Sequence, residues 1–142
     1  ASLPWMQGAP DPLTTVAWQT WIEISDKDAI SMGLKMGDMV RVTTNHGEIE
    51  AIAYPHPAIP PGTVAIPLGQ GHTSQVQFSQ DKGANLISIL APEKESQTGA
   101  FAWGANRVRL ELQGSKKRIT KFEGPARSIQ EPHERIVRVV KE

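Results

Sequence analysis

Eleven prolines and twelve glycines are spread through the chain, and this punctuation limits what it can become. Most segments between breaks suit a short strand better than a long helix. The expectation is an all-β chain with one or two short helices. The segment "MVRVTTNHGEIEAIAY" (39–54) carries the strongest pattern. Val40 and Val42 share one face, Arg41 and Thr43 the other, and "NHG" supplies residues that tolerate the positive φ of a tight turn. The spacing therefore predicts a β-hairpin.

The flanking segments extend the pattern. "TWIEI" (20–24) reads as a strand ending at Ser25, with Trp21 in the core. Ser25 is a natural N-cap, Asp26 and Asp28 stand where a helix dipole favours negative charge, and Gly33 can close the helix in a left-handed conformation. Ala29, Ile30 and Leu34 are expected to face the core. "MGD" (36–38) is a turn, "HPAIPPGT" (56–63) a proline-bound turn, and "VAIPL" (64–68) a short apolar strand. "NLISIL" (85–90) is compatible with a strand or a helical turn, and "PEKESQTG" (92–99) reads as a solvated loop. In "AFAWGANRVRLEL" (100–112) the period of two returns, with Val108, Leu110 and Leu112 opposite Arg107, Arg109 and Glu111. "GSKKRITKF" (114–122) and "RIVRVV" (135–140) are strand-like runs in a more basic tail. The division expected is a domain over 1–112 and a C-terminal extension over 113–142. Internal repeats and low-complexity tracts are absent from the sequence.

Composition removes several classes of function. The 142 residues suit one domain, and fifteen Lys and Arg balance fifteen Asp and Glu. A balanced chain has no net field to draw nucleic acid or an anionic membrane. With no cysteine there are no disulfides, thiolate ligands or iron–sulfur ligands within the chain. No apolar run reaches the roughly 18 to 20 residues of a membrane span. The opening "ASLPWMQGAPDP" lacks the basic start and apolar stretch of a signal peptide. The reading is a soluble domain whose proline-rich start suggests a piece of something longer.

Candidate chemistry concentrates in "AIPLGQGHT" (65–73), where an apolar segment runs into two glycines, a glutamine, a histidine and a threonine. Gly69, Gly71 and Thr73 allow backbone N–H groups to approach an oxyanion without obstruction, although the spacing matches neither a Walker loop nor a Rossmann fingerprint. His46, His56 and His133 read as surface or loop histidines, and none of the four histidines has the spacing of a zinc site. His72 differs because glycines flank its loop, where an imidazole can meet a phosphate or a ring. No "GxSxG" elbow supports a serine triad, and Gly114-Ser115 reads as a turn. Trp18, Trp21 and Trp103 are candidates for stacking on a heterocycle. Against that, Trp21 suits the core, and Trp5 or Trp18 suits contact with a neighbouring domain.

Taken in order, these segments resemble the C-terminal molybdopterin-dinucleotide-binding domain of the molybdenum and tungsten oxidoreductases of the dimethyl-sulfoxide-reductase type. The resemblance lies in "WIEISDKDAISMGLKMGDMVRVTTNHGEIEAIAYPHPAIPPGTVAIPLGQGH", with "FAWGANRVRLE" similar to the family's closing strand. Family members show a tryptophan-led strand, a short helix ending near Leu-Gly, "GD.V.V", a glycine hairpin turn, "I.PG.V" and a glycine-rich loop ending near histidine. The opening "LPWMQGAPDPLTTVAWQTW" with "PLGQGHT" is most similar to molybdopterin-like subunits of alternative complex III and related quinone reductases.

The resemblance implies a six-stranded double-psi β-barrel. It implies a role in capping a molybdopterin guanine dinucleotide cofactor, with molybdenum or tungsten, in a respiratory oxidoreductase subunit. Gly69, Gln70, Gly71, His72 and Thr73 are the cofactor-binding positions it implies, with Asn85 beside them. The metal's protein ligand belongs to another domain, so this domain supplies binding surface and no catalytic residue. Family domains begin with an earlier strand and a Gly-Arg loop that are missing here. The implied partners are the large subunit's remaining domains and an iron–sulfur electron-transfer subunit or domain. Neither nucleic acid nor direct membrane insertion is expected, and the implied location is the periplasmic side, peripheral to the cytoplasmic membrane. Alternative-complex-III-like subunits keep the fold without the cofactor. The rival reading is therefore an empty structural domain packed against an iron–sulfur partner in a quinone-linked complex. A peptide-binding double-psi barrel has no supporting motif.

Overall fold

The structure is a computed structural model, and it describes residues 3–73, 80 and 82–122. A short helix, α1 (Pro4–Gly8), opens this region, followed by strand β1 (Trp21–Ile24), helix α2 (Asp26–Met32), and strands β2 (Asp38–Thr44) and β3 (Gly47–Pro55). Strand β4 (Val64–Ala65), 3-10 turns at Leu86–Ile89 and Trp103–Ala105, and strand β5 (Arg109–Lys116) complete it. The strands form one five-stranded sheet in the order β4-β1-β3-β2-β5. The described fold is therefore mostly β, with a mixed open sheet whose two ends, β4 and β5, do not pair with each other.

The expected hairpin is present. β2 and β3 pair antiparallel from Met39↔Ile52 to Thr44↔Gly47, leaving Asn45 and His46 as the turn. β1 pairs parallel to β3, with Trp21 opposite Ile52, so the chain between them, α2 and β2, makes the crossover that a parallel pair requires. Because β1 is an interior strand, all four of its residues are buried. On one face Ile22 and Ile24 pack with Ala29, Leu34, Val40, Val42, Ile49 and Ile89. On the other, Trp21 packs with Val16, Ile52 and Tyr54. Glu23 belongs to this interior because Trp21 Nε1 donates to its Oε1 at 3.1 Å.

Helix α2 ends as the sequence predicts. The Asp28 amide donates to Ser25 Oγ at 3.1 Å. At the other end Gly33 takes φ 68°, and the amides of Gly33 and Leu34 donate to the carbonyls of Ile30 and Ala29. Ile30 departs from expectation, at 79% exposed. In a helix of seven residues only a narrow stripe meets the sheet. Ala29 occupies it, and the next residue is turned about 100° away.

One other segment is shorter than the sequence reading, since "VAIPL" contributes only Val64 and Ala65 to the sheet, while "NLISIL" takes the helical turn of its two expected forms. In β5 the alternation fails at Leu112, which is 50% exposed. Leu112 lies opposite Val40 in the same register as Leu110 opposite Val42, at the last pair before the register shifts toward Asp38↔Lys116. β5 runs across residue 112, and Lys121 bridges Val16. "RIVRVV", His133 and the rest of the tail beyond Phe122 lie outside the described residues.

Candidate functional site

The glycine-rich loop follows β4 and is held against the chain at 82–85. Gly69 and Gly71 have φ of 106° and 75°, conformations open to glycine at little cost. Gly71 faces a second constraint, since a Cβ there would overlap the backbone of Ala84 and Asn85. Its amide donates to the Lys82 carbonyl at 2.8 Å. Gly71, one of the three positions the sequence reading offered to an oxyanion, thus spends its N–H inside the fold, and its missing side chain makes room for the chain's own backbone.

The other predicted positions gather around this crossing. His72 Nε2 lies 3.2 Å from the Gly69 carbonyl oxygen, so in the tautomer protonated there the ring closes the loop on itself. Thr73 is exposed at the rim. Asn85 Oδ1 accepts from the Ile87 amide at 3.1 Å and so caps the 3-10 turn. Gln70 turns inward, its Nε2 donating to Gln7 Oε1 at 2.8 Å. Gln70 Oε1 is buried without a hydrogen-bond partner.

Sequence reasoning missed several supporting residues. Gln7, buried on α1, is one. Thr20 Oγ1 accepts from the Ala84 amide at 2.9 Å. Gly83 leaves room for both Thr20 Oγ1 and Gln70, either of which a Cβ would strike. "DKG" carries a turn signal that marks Gly83, but no local pattern announces a buried glutamine. Trp18 has φ 64°, a strained region for a non-glycine residue. It lines a cavity of about 300 Å³ with Thr20, Gly83, Lys82 and Lys117, beside the loop's attachment to Lys82. Trp5, at 69% exposed, and Trp103, at 54% exposed, stand outside this cluster.

The histidines separate by environment. His46 is exposed in the hairpin turn. His56 lies in the loop after β3, as read, and is half-buried there, with Nδ1 3.9 Å from Glu23 Oε2. No cluster of three or more His, Cys, Asp or Glu side chains able to hold a metal occurs among the described residues.

A larger groove of about 830 Å³ opens elsewhere, lined by Ile24, Val64, Ile66, Leu86, Val108 and Leu110 among others. Its walls include both end strands of the sheet, so it lies where the sheet fails to close.

Comparison with known proteins gives this arrangement its class. The model of the molydopterin dinucleotide binding domain matches residues 10–103, a span that includes the glycine loop, the segment crossing it and Asn85. The chain belongs to that family. It is 32% identical over 90 residues to the menaquinone reductase molybdopterin-binding-like subunit of Nitratidesulfovibrio vulgaris, covering 63% of this chain and 13% of that protein. A tetrathionate reductase subunit of Archaeoglobus fulgidus is 36% identical over 111 residues, covering 75% of this chain and 10% of its own length. Acetylene hydratase from Pelobacter acetylenicus is a similar solved structure, with a TM-score of 0.44 and 28% identity over 52% of this chain and 11% of that one. The chain thus spans about a tenth of the length of these relatives. It is homologous to one domain of large molybdopterin subunits, whose other domains lie outside the matched region.

The donors and acceptors at the loop fit a molybdopterin in one particular respect. Gln70 Oε1 is a buried acceptor with unmet capacity, and such an atom suits a donor on a heterocycle better than a phosphate, which only accepts. Of the backbone donors expected at Gly69, Gly71 and Thr73, the Gly71 amide is committed to Lys82.

Proposed function

We propose that this domain caps the molybdopterin guanine dinucleotide of a large respiratory oxidoreductase subunit, with residues 69–73 and Asn85 along the cofactor's edge. The observation that carries this reading is the family match, which spans the loop and its supporting segment. In this role Gln70 and His72 orient the heterocycle, Thr73 contributes a hydroxyl at the rim, and the Gly71–Asn85 crossing keeps the loop in place. The cofactor supplies the redox chemistry when bound, and this chain binds, orients and shields it. The domain is read as the greater part of a six-stranded double-psi β-barrel, with a sixth strand seated in the groove between β4 and β5. An iron–sulfur partner, a quinone-linked respiratory complex and a periplasmic position beside the membrane complete the reading.

One observation favours the rival, a cofactor-free structural domain. The Gly71 amide and the His72 ring both have partners inside the fold, so the loop holds its shape without a ligand. Metal analysis and extraction of oxidised pterin from the full-length subunit separate the two readings. Molybdenum or tungsten near one per subunit, with guanine-dinucleotide pterin, is the expected result. An active complex devoid of pterin and of both metals would leave the structural reading.

A further inference from the structure

Helix α1 is built inside out. Gln7 is 1% exposed, whereas Trp5 and Met6 are 69% and 55% exposed. An amphipathic helix docked by apolar burial shows the reverse, and a buried amide is retained only where hydrogen bonds compensate its desolvation. The compensation here comes from the glycine loop and its neighbourhood. Gln7 Oε1 accepts from Gln70 Nε2 at 2.8 Å, and the Gln7 carbonyl accepts from the Trp18 amide at 3.2 Å. Gly8 also lies beside the Trp18 ring, where a Cβ would make an ordinary contact 3.8 Å from Trp18 Nε1. On its far side Gln70 lies over Gly83, where a Cβ would come within 2.8 Å of Gln70 Cβ. The Gln70 side chain is therefore fixed at its stem by the bare Gly83 backbone and at its tip by Gln7.

We infer that Gln7 is a positioning residue for the loop 69–73. It sets the direction of the Gln70 amide, and with it the unpaired Gln70 Oε1, from a helix more than sixty positions away in sequence. This inference rests on the reading of that loop as the cofactor's edge.

The test uses the full-length subunit. Gln7→Met keeps a similar volume and removes the acceptor, whereas Gln7→Glu keeps an acceptor oxygen. Hydrogen–deuterium exchange over 69–73 and pterin content are read in the same preparations. Gln7→Met is expected to speed exchange in the loop about tenfold, equivalent to about 1.4 kcal/mol, and to lower pterin occupancy while β1 to β3 stay protected. Gln7→Glu is expected to restore both readouts. Gln70→Met should reproduce the loop effect, and the double variant should add nothing, because both changes remove the same bond. Loop exchange unchanged in Gln7→Met overturns the inference, as does an additive double variant. If Gln7→Met fails to fold, Gln70→Met alone decides: faster loop exchange supports the inference and unchanged exchange overturns it. Wild-type subunit lacking pterin, with Gln7→Met still loosening the loop, defeats the capping reading and leaves the Gln7 contact standing.

Discussion

Gly71 meets two demands that no other residue type satisfies together. Its φ of 75° is open to glycine, and a Cβ would overlap the Ala84–Asn85 backbone. Gly71→Ala is expected to cost about 3 kcal/mol or more, from left-handed strain plus overpacking. Gly99 has φ 69° with open space around it, so Gly99→Ala should lose only about 1–2 kcal/mol. Equilibrium unfolding in urea measures the contrast. Asp38 supplies a pH-dependent counterpart. The Lys35 amide donates to its Oδ2 at 2.7 Å and Lys116 Nζ lies 3.2 Å from Oδ1. The Lys35 hydrogen bond, with help from Lys116, holds the carboxyl below the ordinary aspartate range, against the raising effect of burial. A folded-state value below the unfolded one stabilises the fold above the unfolded pKa, about 3.9. That contribution drains away as pH falls through it toward the folded value. Asp38→Asn should therefore lower stability at neutral pH and flatten the acid limb, as read by unfolding midpoints between about pH 2 and pH 7. At this scale the sequence marked Gly69, Gln70, Gly71, His72 and Thr73 as a group, because glycines beside polar residues stand out in a linear reading, while Asn85 was added only by the family resemblance. It could not reveal that Lys82 takes the Gly71 amide or that Gln7 meets Gln70, since those partners are distant along the chain.

Helix α2 shows how far a local pattern carries. Its ends were legible because capping chemistry is written within a few residues. Ser25 accepts from Asp28, and Gly33 adopts the left-handed conformation at φ 68°. Ser25→Ala should cost about 1 kcal/mol. Its inward face was legible only in part, because in a seven-residue helix one position decides between core and solvent. Ile30, exposed at 79%, and Leu34, buried at 5%, separate the two outcomes. Thermal or urea unfolding should place Ile30→Ala within about 0.5 kcal/mol of the parent and Leu34→Ala about 2–4 kcal/mol below it. Equal losses at the two positions would restore the core-facing assignment of Ile30. β5 teaches the same lesson for strands. Its period of two is clear in sequence, yet Leu112, opposite the buried Val40, is 50% exposed, and the register shift just beyond it depends on the partner strand as much as on the bulged one.

At the scale of the molecule the sheet has, among the described residues, two end strands without a further neighbour and an apolar groove between them. A terminal strand presents unpaired N–H and C=O groups, and natural proteins cover, shorten or charge such edges. β4 is short, with two residues, and β5 carries Arg109, Glu111 and Lys116 on its exposed positions. Neither device accounts for the apolar lining between them, where Val64, Ile66, Leu86, Val108 and Leu110 pack at the margin of the main core while still bounding open space. A strand pairing with both ends would bury that margin and complete the backbone hydrogen bonds in a single step. The hairpin was readable because its two strands adjoin in sequence, whereas the parallel pairing of β1 with β3 was not, since its partners are separated by α2 and β2. No strand among the described residues occupies the gap between β4 and β5. The relatives, in which this domain is about a tenth of the chain, provide ample sequence for one. Amide exchange then distinguishes a closed sheet from an open one. In the 142-residue chain the amides of β4 and β5 that point away from β1 and β2 should exchange rapidly, as unpartnered edge groups do. In the complete subunit the same amides should slow by about tenfold or more, the effect of about 1.4 kcal/mol of added protection. The amides shared between β2 and β3 should be alike in both. Edge amides that remain fast in the complete subunit would mean that side chains alone fill the groove and that the sheet stays open.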